Sequence, residues 1–251
     1  MTRFSGKYFI VSGAASGIGR ATAERLSEEG ASLALIDLDA LLLEQVAGRL
    51  REDGTEVLTF ACDVSDNNAL KSAVNKAIDT FGSLHGVVAS AGVNLIADRE
   101  PLAQASLEAF DQVLSINLRG SFVLIQSAMN ALIESQGAVV TVSSTAGIRG
   151  HGAGWGYTAS KGALVALSQM LALECGKQGV RVNCVCPGAV ASEGMGAFFS
   201  TENGAAYTRH VPLGRPGLPE ELAGTVVHLL SEDSAYTNGQ VIAVDGGATV
   251  L

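Results

Sequence analysis

Ser12-Gly13-Ala14-Ala15-Ser16-Gly17-Ile18-Gly19 stands between a short apolar run, Lys7 to Ser12, and a helical stretch, Arg20 to Gly30. The run reads as a buried strand and the glycines as a tight turn into a helix. Glycine at 13, 17 and 19 lets a backbone turn sharply and come close to a pyrophosphate. The helix start then offers that anion free N–H groups. Ser16 and Ile18 complete the candidate phosphate turn. The spacing is G-x-x-x-G-x-G, not the G-x-G-x-x-G of the broad dinucleotide fingerprint, and an ordinary βα turn also carries such glycines.

Outward from this turn the pattern repeats. Apolar runs at Ala31 to Ile36, Val57 to Ala61, Gly86 to Ala89, Ala138 to Ser143, Val180 to Cys186 and Gly239 to Val244 read as six further strands. Helical stretches lie between them at Leu41 to Glu52, Asp66 to Phe81, Leu107 to Glu134 and Tyr157 to Gly176. No composition break or repeat divides the chain. The expectation is one α/β domain over 1–251, with a doubly wound, seven-stranded parallel sheet and helices on both faces. The cofactor-binding part would span about 1–145. Right-handed crossovers place the polar and glycine-rich segments at the carboxyl ends of the strands, where open α/β sheets bind ligands.

Composition agrees. Of 251 residues 47% are hydrophobic and only 5% aromatic, so Ala, Val, Leu and Ile must build the core, as suits a parallel sheet. A net charge of −9 without a dense Lys/Arg block argues against nucleic acid or an anionic membrane surface as partner. The apolar run at Tyr8 to Val11 is too short for a signal peptide or a membrane span. Cys62, Cys175, Cys184 and Cys186 have no metal or C-x-x-C spacing. They read as small buried hydrophobes in a reducing cytoplasm, and no metal is expected.

Two further places carry chemistry. Asp37 closes the second strand, 24 residues after Gly13. A carboxylate there accepts hydrogen bonds from the adenosine ribose of NAD and repels the extra phosphate of NADP. No Lys or Arg stands nearby to receive that phosphate, so NAD is the expected cofactor. A helix N-cap or loop acid remains the plainer alternative for Asp37. Asp63, at the end of the third strand, is placed to meet the adenine amino group. Tyr157 and Lys161 are four apart. On a helix they share a face, about 5–6 Å apart at Cβ. A free tyrosine has a pKa of about 10 and is a poor base near neutrality. Lowering it to about 7 requires roughly 3 units, or about 4 kcal/mol, much to ask of one ammonium, so a second positive group should help. Alone, the pair would usually be a half-buried aromatic beside a solvated amine.

Taken in order, these segments resemble the short-chain dehydrogenase/reductase family along nearly the whole chain. Ser12 to Gly19 is similar to its TGxxxGIG turn, Cys62-Asp63-Val64 to its adenine-pocket segment and Ser90-Ala91-Gly92 to its NAG segment. Asn117, in Ser115-Ile116-Asn117, matches the helix asparagine, and Ser144 in Val142-Ser143-Ser144 the active-site serine. Tyr157 to Lys161 matches YxxxK, Pro187-Gly188 the PG turn, and Asp245-Gly246-Gly247 the end of the last strand. Three departures are Ser12 for Thr, Ser90 for Asn, and Ser192 for a Thr after the PG turn. Ser12 and Ser90 keep a short polar side chain that could support the turn.

The resemblance implies a single-domain Rossmann fold and an NAD-dependent alcohol dehydrogenase or carbonyl reductase. It implies Tyr157 as general acid/base, and Lys161 lowering its pKa and holding the nicotinamide ribose. The positive nicotinamide of NAD+ would be the second positive group. Ser144, 13 residues before Tyr157, would bond the substrate oxygen, and Asn117 would interrupt the helix and hold a relay water. Gly13, Ser16, Gly17, Ile18, Gly19, Asp37, Asp63, Val64, Ala91, Gly92, Tyr157, Lys161, Pro187, Gly188, Val190 and Ser192 would line the cofactor. A homotetramer is also implied. Competing readings are a catalytically silent nucleotide-binding homologue and a Ser–His hydrolase, the latter lacking a G-x-S-x-G elbow.

Substrate shape falls to segments outside these motifs. Asn94, His151 and Trp155 are candidates for the wall, with Trp155 either lining the pocket or packing beneath its loop. Met195 and Phe198 belong to a glycine-rich lid over about 190–212. Its apolar character favours a neutral alcohol or ketone of modest size.

Overall fold

A computed structural model describes residues 2–150, 153–193 and 195–250. The chain alternates β1 (Tyr8–Ser12), α1 (Gly17–Glu28), β2 (Ser32–Asp37), α2 (Ala40–Glu52), β3 (Val57–Ala61), α3 (Asn67–Phe81) and β4 (Gly86–Ala89). The second half adds α4 (Leu107–Leu114), α5 (Ser121–Ser135), β5 (Ala138–Val142), α6 (Trp155–Cys175) and β6 (Arg181–Pro187). Then come α7 (Gly196–Phe199), α8 (Glu202–Thr208), α9 (Pro219–Leu230) and β7 (Val241–Val244). All strand pairs are parallel, in the order β3-β2-β1-β4-β5-β6-β7. The order reverses between β1 and β4, which opens a crevice at their carboxyl ends.

Strand alternation feeds two separate cores. Phe9, Val11, Leu33, Leu35, Val88 and Val140 face one side and meet Leu26, Leu43, Leu50 and Val226 from α1, α2 and α9. Ile10, Ile36, Val87, Val139 and Val182 face the other and meet Leu70, Val74, Leu124 and Leu132 from α3 and α5. The inner strands β1, β2, β4, β5 and β6 are thus buried on both faces and mostly apolar, while the edge strands β3 and β7 are only partly buried. Among the described residues no helix is long and apolar enough to cross a membrane.

Three segments differ from the sequence-based expectation. The helix foreseen over Leu107 to Glu134 is α4 and α5 joined by a π-helical turn, Ser115–Gly120, which is the interruption implied for Asn117. The lid is not loop alone, since it contains α7 and α8. The pattern also left α9 unassigned. Its signals are present in the chain: Pro219 occupies its first turn, and Glu221 accepts the Leu218 N–H at 2.8 Å.

Candidate active site

The glycine-rich turn has the shape its residues suggested. Gly13 has φ +68°, and a Cβ there would lie 2.8 Å from the Ala91 nitrogen. A Cβ on Gly19 would lie 2.0 Å from the Gly13 carbonyl oxygen, so neither position admits a side chain. Ser12 Oγ accepts the N–H groups of Ser90 and Ala91 at 3.2 and 3.3 Å, and so ties β1 to the segment after β4 across the switch point. Serine in place of threonine therefore still supports the turn. At the start of α1, the Gly17 N–H donates to the Glu193 carboxylate at 2.9 Å, and Arg20 meets its other oxygen at 2.5 Å. A carboxylate thus already sits on the helix end, as an anion should. The turn fits a dinucleotide pyrophosphate.

Asp37 ends β2 and faces this turn: Oδ2 accepts the Ala15 N–H at 3.0 Å and Oδ1 the Asp39 N–H at 3.0 Å. Asp63 Oδ1 accepts the Ser65 N–H at 2.8 Å. Val64 is buried against Gly120, where a Cβ would lie 2.9 Å from the Val64 carbonyl oxygen. Val190 forms an isolated parallel bridge with Gly217, and Gly17, given a Cβ, would meet Ser192 Cβ at 3.5 Å. The segment after Pro187-Gly188 therefore returns beside the glycine turn.

The π-helical turn aims Asn117, fully buried, at the strand ends. Its Oδ1 accepts the Val93 N–H at 2.8 Å, while Nδ2 donates to the Val93 carbonyl at 2.9 Å and to Ser160 Oγ at 3.1 Å. Lys161 Nζ donates to the Val142 carbonyl at 2.8 Å and lies 5.7 Å from the Tyr157 ring centre. A Cβ on Gly92 would be 3.3 Å from both Asn117 Oδ1 and Lys161 Nζ, so glycine keeps this junction open. Burial takes the Lys161 ammonium down to about 8, against a smaller opposing pull from Cys184 and Cys186. Those two thiols are buried side by side, 3.9 Å apart. Ser143 donates its hydroxyl to the Lys161 carbonyl at 2.7 Å. Ser144 Oγ accepts the Ala146 N–H at 3.1 Å and can still donate its proton outward.

A family model described as enoyl-(acyl carrier protein) reductase matches residues 13–249. The chain is 37% identical to 2-(S)-hydroxypropyl-CoM dehydrogenase 3 of Xanthobacter autotrophicus over 99% of both chains. It is 36% identical to levodione reductase of Leifsonia aquatica, over 98% of this chain and 95% of that one. A crystal structure of levodione reductase superimposes with a TM-score of 0.93 at 34% identity, covering 99% of each chain. The chain belongs to the short-chain dehydrogenase/reductase family. It is an oxidoreductase, as its relatives' names are those of dehydrogenases and reductases of alcohols and ketones.

Within this family frame the substrate candidates are less unified. His151 lies outside the described residues. Trp155 opens α6, about half exposed, with Nε1 donating to the Glu100 carbonyl at 2.8 Å. Asn94 accepts from Arg99 at 3.4 Å. Met195 is exposed, and Phe198 packs edge-on to Phe199 at 5.4 Å between centroids. Two residues at the site escaped the sequence reading. One is Glu193, on the helix start. The other is Asp98, buried, whose Oδ1 and Oδ2 accept the N–H groups of Gly156 and Tyr157, each at 2.8 Å. Gly154 and Gly156 around Trp155 were the only sequence signal of that contact.

Proposed function

We propose that this oxidoreductase interconverts a secondary alcohol and a ketone with NAD(H). The observation that carries the reading is the meeting of Lys161 and Asn117 beside Gly92, with the Tyr157 ring centre 5.7 Å from Lys161 Nζ, at the sheet edge that also holds the glycine turn and Asp37. Gly13, Ser16, Gly17, Ile18 and Gly19 would cradle the pyrophosphate. Asp37 would accept the adenosine ribose hydroxyls, with Asp63, Val64 and Ala91 around the adenine side. Gly92, Pro187, Gly188, Val190 and Ser192 would surround the carboxamide end. Bound there, NAD supplies the hydride acceptor and, when oxidised, a positive charge.

The chain's own groups handle the proton. Tyr157 takes it from the alcohol at its phenol oxygen, or returns it to the ketone. Lys161 favours the phenolate; one of its three N–H bonds goes to Val142, which leaves two for ribose hydroxyls. Ser144 donates to the substrate oxygen. Asn117 fixes the Val93 segment beside Lys161 and would hold a relay water leading to it. Apolar Ile148, Trp155, Met195 and Phe198, with Asn94 and His151, favour a neutral alcohol or ketone. Exposed Met170 and Leu173 on α6 and Phe122 on α5 suit assembly of a homotetramer.

The test is NAD+ reduction followed by absorbance over secondary alcohols, diols, sugars and hydroxysteroids. Turnover of a secondary alcohol with NAD+, better than with NADP+, is expected. Turnover confined to NADP+, or to a hydrolysable ester, would overturn the reading.

A further inference from the structure

The start of α6 is capped from an unexpected place. Its local N-cap is Gly154, which has no side chain to offer. Helix starts leave N–H groups unsatisfied, and these need partners when buried. Here Asp98 supplies both from 58 and 59 residues upstream, on the short 3₁₀ turn Ile96–Arg99. The carboxylate is only 2% exposed and binds the N–H of Gly156 with one oxygen and that of Tyr157 with the other.

The surroundings are cut to admit it. A Cβ on Gly154 would lie 2.1 Å from Asp98 Oδ2, and one on Gly156 would lie 3.1 Å from Oδ1. The indole of Trp155, between them, donates to the Glu100 carbonyl at 2.8 Å. At its other end the same upstream segment is clamped by Asn117 through both polar groups of Val93. The stretch 93–100 therefore spans from Asn117 to the backbone of Tyr157.

We infer that Asp98 is a positioning residue for Tyr157: its bond to the Tyr157 backbone N–H sets where the phenol stands relative to Lys161. This rests on the proposed acid/base role of Tyr157. Small displacements of a reacting group are costly in rate, while the phosphate turn at Gly13 to Gly19, which carries most of the proposed cofactor contacts, has no share in this bond. Asp98→Asn keeps the shape but presents an amide N–H₂ to one of the two N–H donors.

Three measurements test it. In Asp98→Asn, kcat should fall about tenfold to a hundredfold while the NAD+ dissociation constant stays within about twofold, as expected for lost positioning. In the cofactor-free protein, phenolate absorbance is titrated and the Tyr157 signal isolated by subtracting Tyr157→Phe. Its midpoint should rise in Asp98→Asn toward the ordinary value of about 10, because the phenol leaves Lys161, which offers it a positive charge at low pH and N–H donors throughout. Gly154→Ala pushes the carboxylate away without removing its charge and should give the same two changes, which covers failure of Asp98→Asn to fold. An unchanged or lowered midpoint, or an unchanged kcat, overturns the assignment. If Tyr157→Phe itself turns over like wild type, the acid/base reading of the site fails instead. If that variant is inactive and both Asp98→Asn and Gly154→Ala behave as wild type, only the role of Asp98 fails.

Discussion

Glu193, from the segment after β6, places its carboxylate 2.9 Å from the Gly17 nitrogen, at the first turn of α1. It takes a donor that the proposed dinucleotide pyrophosphate would use. Burial would raise the Glu193 pKa, but the N–H bonds and Arg20 outweigh it and hold the group below its ordinary value, so it is ionised near neutrality. A charge at a helix start is worth about 0.3–1 kcal/mol. Glu193→Gln should therefore bind NAD+ about two- to fivefold more tightly, as measured by calorimetry. Weaker binding in that variant would mean that Glu193 helps hold the cofactor rather than competing with it.

Asp37 bonds the Ala15 and Asp39 N–H groups, which holds the carboxylate at the lip of the glycine turn. Asp37→Ala removes the expected ribose acceptor and the charge that repels a 2′-phosphate. Hydrogen bonds to charged groups are worth about 1.5–3 kcal/mol, so the NAD+ dissociation constant should rise by about tenfold or more. The preference for NAD+ over NADP+ should narrow. A wild-type protein that already prefers NADP+ would contradict the role given to Asp37.

Tyr157→Phe should reduce kcat by about 10²–10⁴-fold, the usual contribution of a positioned acid/base, with the NAD+ dissociation constant nearly unchanged. The split matters because Tyr157 is placed by its helix and Asp98 rather than by the phosphate turn. Turnover and binding measured on the same preparation decide it.

The inner strands were legible because they are buried on both faces and read as mostly apolar runs, as Gly86–Ala89 does; the partly buried edge strand Val57–Ala61 keeps enough apolar residues to fall where the sequence put it. The candidate site was legible where the proposed chemistry needs a residue type at a local spacing, as with Gly13, Asp37, Tyr157 and Lys161. Contacts made across the chain were not. Asp98 looks like an ordinary loop acid until folding brings it onto the N–H of Tyr157. The π-helical turn at Asn117 leaves no periodicity in a stretch that is apolar on several faces, and only the family resemblance implied the interruption found there. The lid was read from its glycines, which concealed α7 and α8.

Lys161 supplies the last prediction, because its burial must be felt in stability. Its pKa falls from 10.5 to about 8 on folding, with desolvation the main cause. Between those values the unfolded chain holds a proton that the folded one has released, so stability attributable to this group rises with pH. The penalty is full below about pH 8 and relieved toward pH 10.5. The shift corresponds to roughly 3 kcal/mol at most. Urea unfolding of wild type and Lys161→Met at pH 7, 8, 9 and 10 isolates it, since methionine keeps much of the stem and lacks the charge. The stability of wild type relative to the variant should be lowest at pH 7 and climb steadily above pH 8. A difference that stays flat across that range would show that the ammonium keeps its proton in the folded protein, and that the buried cation beside Tyr157 costs the fold nothing.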